Sequence, residues 1–177
     1  MLIGILLVFY VTIFTISISK SVYKTDVLGE VKRTNIEYIN EIVGQDTPIL
    51  NKEEQETLDL INEYRKENGL EELKSILILQ NVARLKAEDL VENQYFSHIS
   101  EKLGTPFEML AQNDVDYKIA GENLAGNITP KKAVNAWINS ASHRDNILEE
   151  DFKYTGICVI DSPVYGKIFV QLFIGIW

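Results

Sequence analysis

Residues 154–176 read Tyr-Thr-Gly-Ile-Cys-Val-Ile-Asp-Ser-Pro-Val-Tyr-Gly-Lys-Ile-Phe-Val-Gln-Leu-Phe-Ile-Gly-Ile, and this stretch decides the fold class. Tyr154–Ile160 and Lys167–Ile176 are rich in β-branched and aromatic residues, and Asp161-Ser162-Pro163 and Gly166 punctuate them. That pattern predicts two strands of an antiparallel hairpin. Working backwards, the period changes to that of helices. Thr129-Pro130 opens one that buries Val134, Trp137 and Ile138, and Thr105-Pro106-Phe107-Glu108 opens a short one with a cap, a first-turn proline and a capping-box glutamate. Leu79, Val82, Ala83, Lys86, Ala87 and Leu90 form the stripe of another. Asn51 is placed to cap the first, with Glu54 reaching back and Asn68-Gly69 ending it. Helices first and strands last, without βαβ alternation, predict an α+β domain over residues 51–177.

The remaining third of the chain has a different character. Met1 to Ser19 carry no charged side chain and are dominated by Leu, Ile, Val and Phe. As a helix they would reach about 28 Å, close to a bilayer core of about 30 Å. Residues 1–19 are therefore expected to meet membrane, as a signal peptide with Ser17-Ile18-Ser19 before the cleavage point or as an uncleaved anchor. Residues 20–50 read as a tether, with Ile36, Ile39 and Val43 spaced for a short amphipathic helix before the breaker run 44–48.

Of 177 residues, 17 are Lys or Arg and 26 Asp or Glu, a net charge of -9. Residues 51–177 alone carry -8, so the acidity belongs to the domain. A chain of this sign has no general attraction for nucleic-acid phosphates, and nucleic acid is not an expected partner. Cys158 is the single cysteine, which rules out an intramolecular disulfide and Cys-cluster zinc sites. At a strand position it reads as a small buried hydrophobe.

Chemistry is confined to few residues. The two histidines, His98 and His143, follow the second and fourth helical segments in polar surroundings, and Glu122 lies between them in an apolar, glycine-containing stretch. Two imidazoles and a carboxylate suffice for a divalent metal, zinc or magnesium, with an open position, provided the fold brings them together. The alternative reading has each histidine capping a helix end and Glu122 as a satisfied buried acid.

Phe96-Ser97-His98, Gly121-Glu122-Asn123-Leu124-Ala125, the run from Ala136 through Ser142-His143-Arg144-Asp145-Asn146 to Leu148, Gly156-Ile157-Cys158-Val159 and Val170-Gln171-Leu172-Phe173 together resemble the bacterial branch of the CAP superfamily, the SCP-like extracellular domain. The resemblance implies an α-β-α sandwich with a small antiparallel sheet between helical layers, here preceded by the N-terminal apolar helix. It implies an exported or surface-anchored protein, and a cleft in which His98, Glu122 and His143 form a metal-capable cluster. Arg144 and Asn146 match structural positions, and Gln171 matches the strand glutamine. The family's other cleft histidine, three residues before that glutamine in animal and plant members, is Ile168 here, so His143 would serve instead.

Three functions fit these residues. The first is a binding module at the cell envelope, holding a divalent ion, peptide or small ligand between His98, Glu122 and His143. The second is a hydrolase with His98, Glu122 and His143 as catalytic candidates and a metal-bound water, Ser97 or Ser142 as nucleophile, though no Gly-x-Ser-x-Gly elbow or His-Glu-x-x-His helix is present. Lipid or sterol binding is the third, and it needs an exposed apolar groove.

Overall fold

A computed structural model describes residues 48–177 together with two short strands, β1 (Lys24–Thr25) and β2 (Val31–Lys32), which pair antiparallel with Lys24 opposite Lys32. The expected membrane segment 1–19 and the short helix around 36–43 lie outside the described residues. Among the described residues no helix is long and apolar enough to cross a membrane.

From residue 48 onward the elements run α1 (Lys52–Glu67), β3 (Lys74–Ser75), α2 (Leu77–Glu92), α3 (Pro106–Gln112), β4 (Ile119–Asn127), α4 (Pro130–Asn139), α5 (Ala141–Leu148), β5 (Tyr154–Ser162) and β6 (Gly166–Gly175). Three helix starts, those of α1, α3 and α4, are where the caps predict. Asn51 accepts from the amides of Glu53 and Glu54 while Glu54 accepts from Asn51 N, and Thr105 and Glu108 close the same reciprocal box. Each box satisfies amides that a helix start leaves without partners. Thr129 Oγ1 accepts from Lys132 N, so this threonine caps α4.

The sheet has the order β3-β5-β6-β4. β5 and β6 form the expected antiparallel hairpin, β4 pairs antiparallel with β6, and a two-residue rung, β3, adds a parallel edge. The hairpin is longer than its sequence pattern suggested, closing at Ser162 opposite Gly166. Strand alternation sends β6 side chains to two separate cores. Ile168, Val170, Leu172 and Ile174 pack with Leu79, Val82, Ala83 and Leu90 of α2. Phe169 and Phe173 pack on the other face with Leu58 and Ile61 of α1, Val134 and Trp137 of α4, and Ile147 of α5. This is the α-β-α sandwich. Cys158 is buried in the α2-side core, where burial pushes its thiol up to about 12, and Ile168 is buried beside it. A thiol so held is a packing group and not a nucleophile at neutral pH.

Both long sheet edges are sealed by side chains, which an exposed ladder requires. On β5, Gln80 of α2 accepts from Ile157 N at 2.9 Å and donates back to Ile157 O, and Glu54 of α1 accepts from Val159 N at 3.4 Å. On β4, Trp137 Nε1 donates to Leu124 O at 2.9 Å and Asn146 Nδ2 to Glu122 O at 3.2 Å. The second seal also builds the cleft.

Candidate functional site

β4 carries Glu122 on the α2 side, with Leu124, and Asn123 on the opposite side, with Ala125. The sequence of Gly121 to Ala125 does not announce this strand, because Gly, Glu and Asn have poor strand propensity. Gly121 is where α5 approaches: a Cβ there would come 3.1 Å from both Asn146 Oδ1 and Phe152 Cζ. Asn146 Nδ2 bridges Glu122 O and Asn123 Oδ1, the latter at 2.9 Å, and Asn123 Nδ2 donates to His143 O at 3.1 Å. These amides dock α5 on the edge strand and so bring His143 toward Glu122. His143 lies inside α5, so it does not cap a helix end. Arg144 Nη1 donates to Ile138 O at 3.0 Å, tying α5 back to α4.

His98 follows α2 in irregular chain. Its Nδ1 lies 2.6 Å from Glu122 Oε1, with the imidazole 53% and the carboxylate 2% exposed. A carboxylate oxygen at that distance accepts a hydrogen bond from Nδ1–H and so fixes the tautomer, leaving Nε2 without a partner among the described residues. The His143 ring stands 6.5 Å from the His98 ring, centroid to centroid, tilted by 41°. The structure thus brings all three sequence candidates together, with Glu122 behind His98.

The electrostatics follow from depth. Burial raises the Glu122 carboxyl above its ordinary value, and the His98 hydrogen bond and the charge of Lys86 oppose that rise. Among the described residues, Glu122 Oε2 is buried with no hydrogen-bond partner. Burial lowers the His143 imidazole, and the neighbouring His98 lowers it further.

Among the described residues no three His, Cys, Asp or Glu side chains are arranged as a ready metal shell. Two imidazoles sharing a tetrahedral zinc at about 2.0–2.1 Å per nitrogen put their centroids roughly 5 Å apart. The observed 6.5 Å is longer than that. Ser97 Oγ accepts from Ile99 N at 3.1 Å and Ser142 Oγ lies 3.5 Å from Ser140 Oγ; among the described residues neither hydroxyl bonds an imidazole. Between α1 and α4, Leu60, Tyr64, Val134 and Ile138 line a groove of about 140 Å³. That is smaller than the about 300–1,000 Å³ of ordinary ligand pockets.

Sequence reasoning missed one residue of the cleft floor. Lys86 belongs to the apolar stripe of α2 and is fully buried, with Nζ donating to Tyr95 Oη at 3.1 Å and to His98 O at 3.2 Å. The only signal was a lysine at an apolar-face position.

The sandwich agrees with comparison to known proteins. The Cysteine-rich secretory protein family matches residues 58–173, and the chain belongs to that family. It is 40% identical over 123 residues to the uncharacterized protein YkwD of Bacillus subtilis, covering 69% of this chain and 47% of that one. A solved extracellular protein containing an SCP domain, from Bacillus anthracis, superposes with a TM-score of 0.65 at 31% identity, over 82% of this chain and 45% of the other. An outer surface protein from Borrelia burgdorferi superposes with a TM-score of 0.66 at 31% identity, over 73% of this chain and 97% of its own. The chain thus spans about half the length of the first two relatives.

Proposed function

We propose that this chain is an exported binding module of the cell envelope, in which His98 and His143 present imidazole nitrogens to a divalent ion, and Glu122 holds His98 in the required tautomer. The observation that carries this reading is the 2.6 Å His98 Nδ1 to Glu122 Oε1 pair with Nε2 left over. A carboxylate behind a ring nitrogen is the usual support of a metal-binding histidine. Zinc suits imidazole better than magnesium does, and two protein ligands leave positions for donors from a peptide or other envelope ligand. Hydrolysis is the weaker reading, since no hydroxyl is placed against either imidazole among the described residues. Support for the envelope location comes from the uncharged apolar run Met1 to Ser19, the family, and relatives described as extracellular or outer-surface proteins.

The test is calorimetric titration of the full-length chain in detergent with zinc and with magnesium, beside the His98→Ala/His143→Ala variant. Saturable zinc binding that the double variant loses is the expected result. Equal affinity in the double variant, or no binding by the native chain, overturns the metal reading.

A further inference from the structure

A second cavity lies between the end of α2 and the loop that follows it, and segment 95–99 borders both it and the cleft. Phe96 faces Tyr165, ring centroids 5.2 Å apart, and His98 faces Glu122. The alternate residues Tyr95, Ser97 and Ile99 instead line, with Asp89, Asn93 and Ser100, a cavity of about 550 Å³. That volume falls within the about 300–1,000 Å³ of ordinary ligand pockets, and the reading above makes no use of it.

Asp89 is the charged group in its wall and is 5% exposed. Three neutral donors converge on the carboxylate: Asn93 Nδ2 donates to Oδ1 at 2.8 Å, Tyr95 Oη donates to Oδ2, and the Ser100 hydroxyl bonds it as well. Burial pushes this carboxyl up, but those donors and the charge of Lys86 hold it below its ordinary value. The hydrogens of Asn93, Tyr95 and Ser100 are therefore turned onto Asp89 and not into the cavity; Asn93 Nδ2 also donates to Asp89 O at 3.2 Å, which leaves Asn93 only its carbonyl oxygen to offer. An ionised carboxylate has about four acceptor sites, so Asp89 keeps capacity for an incoming donor. The cavity thus presents acceptors and a negative charge, which Glu101 at its rim reinforces. Of the cations nearby, Lys86 stands behind Tyr95, bonded to Tyr95 Oη and His98 O, and Lys102 lies on the rim and is exposed. A ligand that matches this lining carries N–H donors and positive charge.

We propose that this cavity binds the basic side chain of a peptide, arginine or lysine, whose N–H groups bond the Asp89 carboxylate while its aliphatic stem lies against Ile99. Ile99 is 62% exposed, an apolar wall that a bare ion would not use but the stem of a basic side chain does. The net charge of -8 on residues 51–177 draws such a peptide in from a distance. The site is distinct from the His98, Glu122 and His143 cleft and does not rest on the metal reading.

The test uses the full-length chain in detergent with EDTA present, so that no divalent ion occupies the cleft. Acetyl-Gly-Arg-Gly-amide, its lysine analogue and a neutral norleucine analogue are titrated while backbone amide shifts are followed. The two basic peptides should bind about 10-fold or more tightly than the norleucine peptide, as a hydrogen bond to a charged group implies. Their shifts should centre on Ser97, Ile99 and Ser100, and their affinity should fall as salt rises. Asp89→Asn keeps the shape and one acceptor but removes the charge, and should abolish the preference. Should Asp89→Asn fail to fold, Ser97→Trp decides: Ser97 is exposed, so the indole fills the cavity from the loop without entering the core, and binding of both basic peptides should be lost. Absence of binding, equal affinity for the norleucine peptide, a preference kept in Asp89→Asn or undiminished binding in Ser97→Trp overturns the proposal. Shifts centred on Glu122 and His143 put the peptide in the cleft and overturn it as well. Because zinc is absent throughout, failure of the metal reading leaves each of these outcomes unchanged.

Discussion

Asn146 Nδ2 donates to the backbone carbonyl of Glu122 at 3.2 Å, so the helix bearing His143 is fastened to the strand at the residue whose side chain holds His98. The same amide reaches Asn123 Oδ1 at 2.9 Å. Asn146→Ala removes both bonds and leaves an edge-strand carbonyl without its donor. The expected loss is about 1–3 kcal/mol of unfolding free energy, the cost of unpairing a buried acceptor. Denaturant unfolding measures it, and zinc titration of the same variant should show weakened binding because α5 no longer docks in register. A variant as stable as the native chain would show that other contacts hold α5.

Gly156 of β5 lies against the backbone of α2. A Cβ there would penetrate the carbonyl of Leu79 and stand 2.5 Å from Gln80 N. Backbone cannot swing aside as a side chain does, so Gly156→Ala must lift α2 from the sheet and strain the Gln80 to Ile157 bonds. The cost should reach or exceed the about 1–3 kcal/mol typical of overpacking. Gly69→Ala is the control: its φ is +78° with nothing within 4 Å, so only the left-handed backbone, about 1–2 kcal/mol, is at stake. Thermal unfolding should rank Gly156→Ala well below Gly69→Ala.

What the sequence displayed and what it hid divides along the range of the forces involved. Caps are local, so Asn51, Thr105 and Thr129 announced three helix starts correctly. The hairpin was legible because Tyr154–Ile160 and Lys167–Ile176 are rich in β-branched and aromatic residues. β4 was not, since Gly121 to Ala125 become a strand only with β6 on one side and Trp137 and Asn146 on the other. α5 escaped too: Ser140 ends α4 and starts α5 without a side-chain cap, and Ile147 is its one buried residue. The meeting of His98 with Glu122, 24 residues apart, is a product of that unannounced strand. Family resemblance, not spacing, pointed to it.

Arg65 shows what a buried guanidinium does that an ammonium cannot. It is 1% exposed, and it donates from Nε to Glu71 O, from Nη1 to Ile147 O and Glu149 O, and from Nη2 to Phe152 O. The carbonyls of Ile147, Glu149 and Phe152 end α5 and lead into β5, so α1 clamps the far end of the helix that bears His143. Burial lowers the Arg65 pKa, but guanidinium stays charged and keeps its fixed fork. Arg65→Lys has three donors on one atom and leaves carbonyls unpaired, each at about 1–3 kcal/mol. Chemical denaturation should show a loss comparable to Arg65→Ala; a nearly neutral Arg65→Lys would mean that charge alone suffices there.

His143 makes stability pH-dependent in a definite direction. Burial, and secondarily the charge of His98, hold its folded-state pKa below the ordinary 6.5. Between those two values the unfolded chain binds a proton that the folded chain refuses, so stability rises with pH across the window. The contribution is complete above 6.5 and is lost as pH falls through the depressed folded value. Replacing the ring by an amide removes the titration. His143→Gln should therefore show a flatter fall in unfolding free energy than the native chain between pH 7.5 and pH 5, followed by urea titration at fixed ionic strength without added metal. Parallel curves for the two proteins would mean that the ring is solvated as well in the fold as in the unfolded chain, and that α5 leaves it outside the cleft.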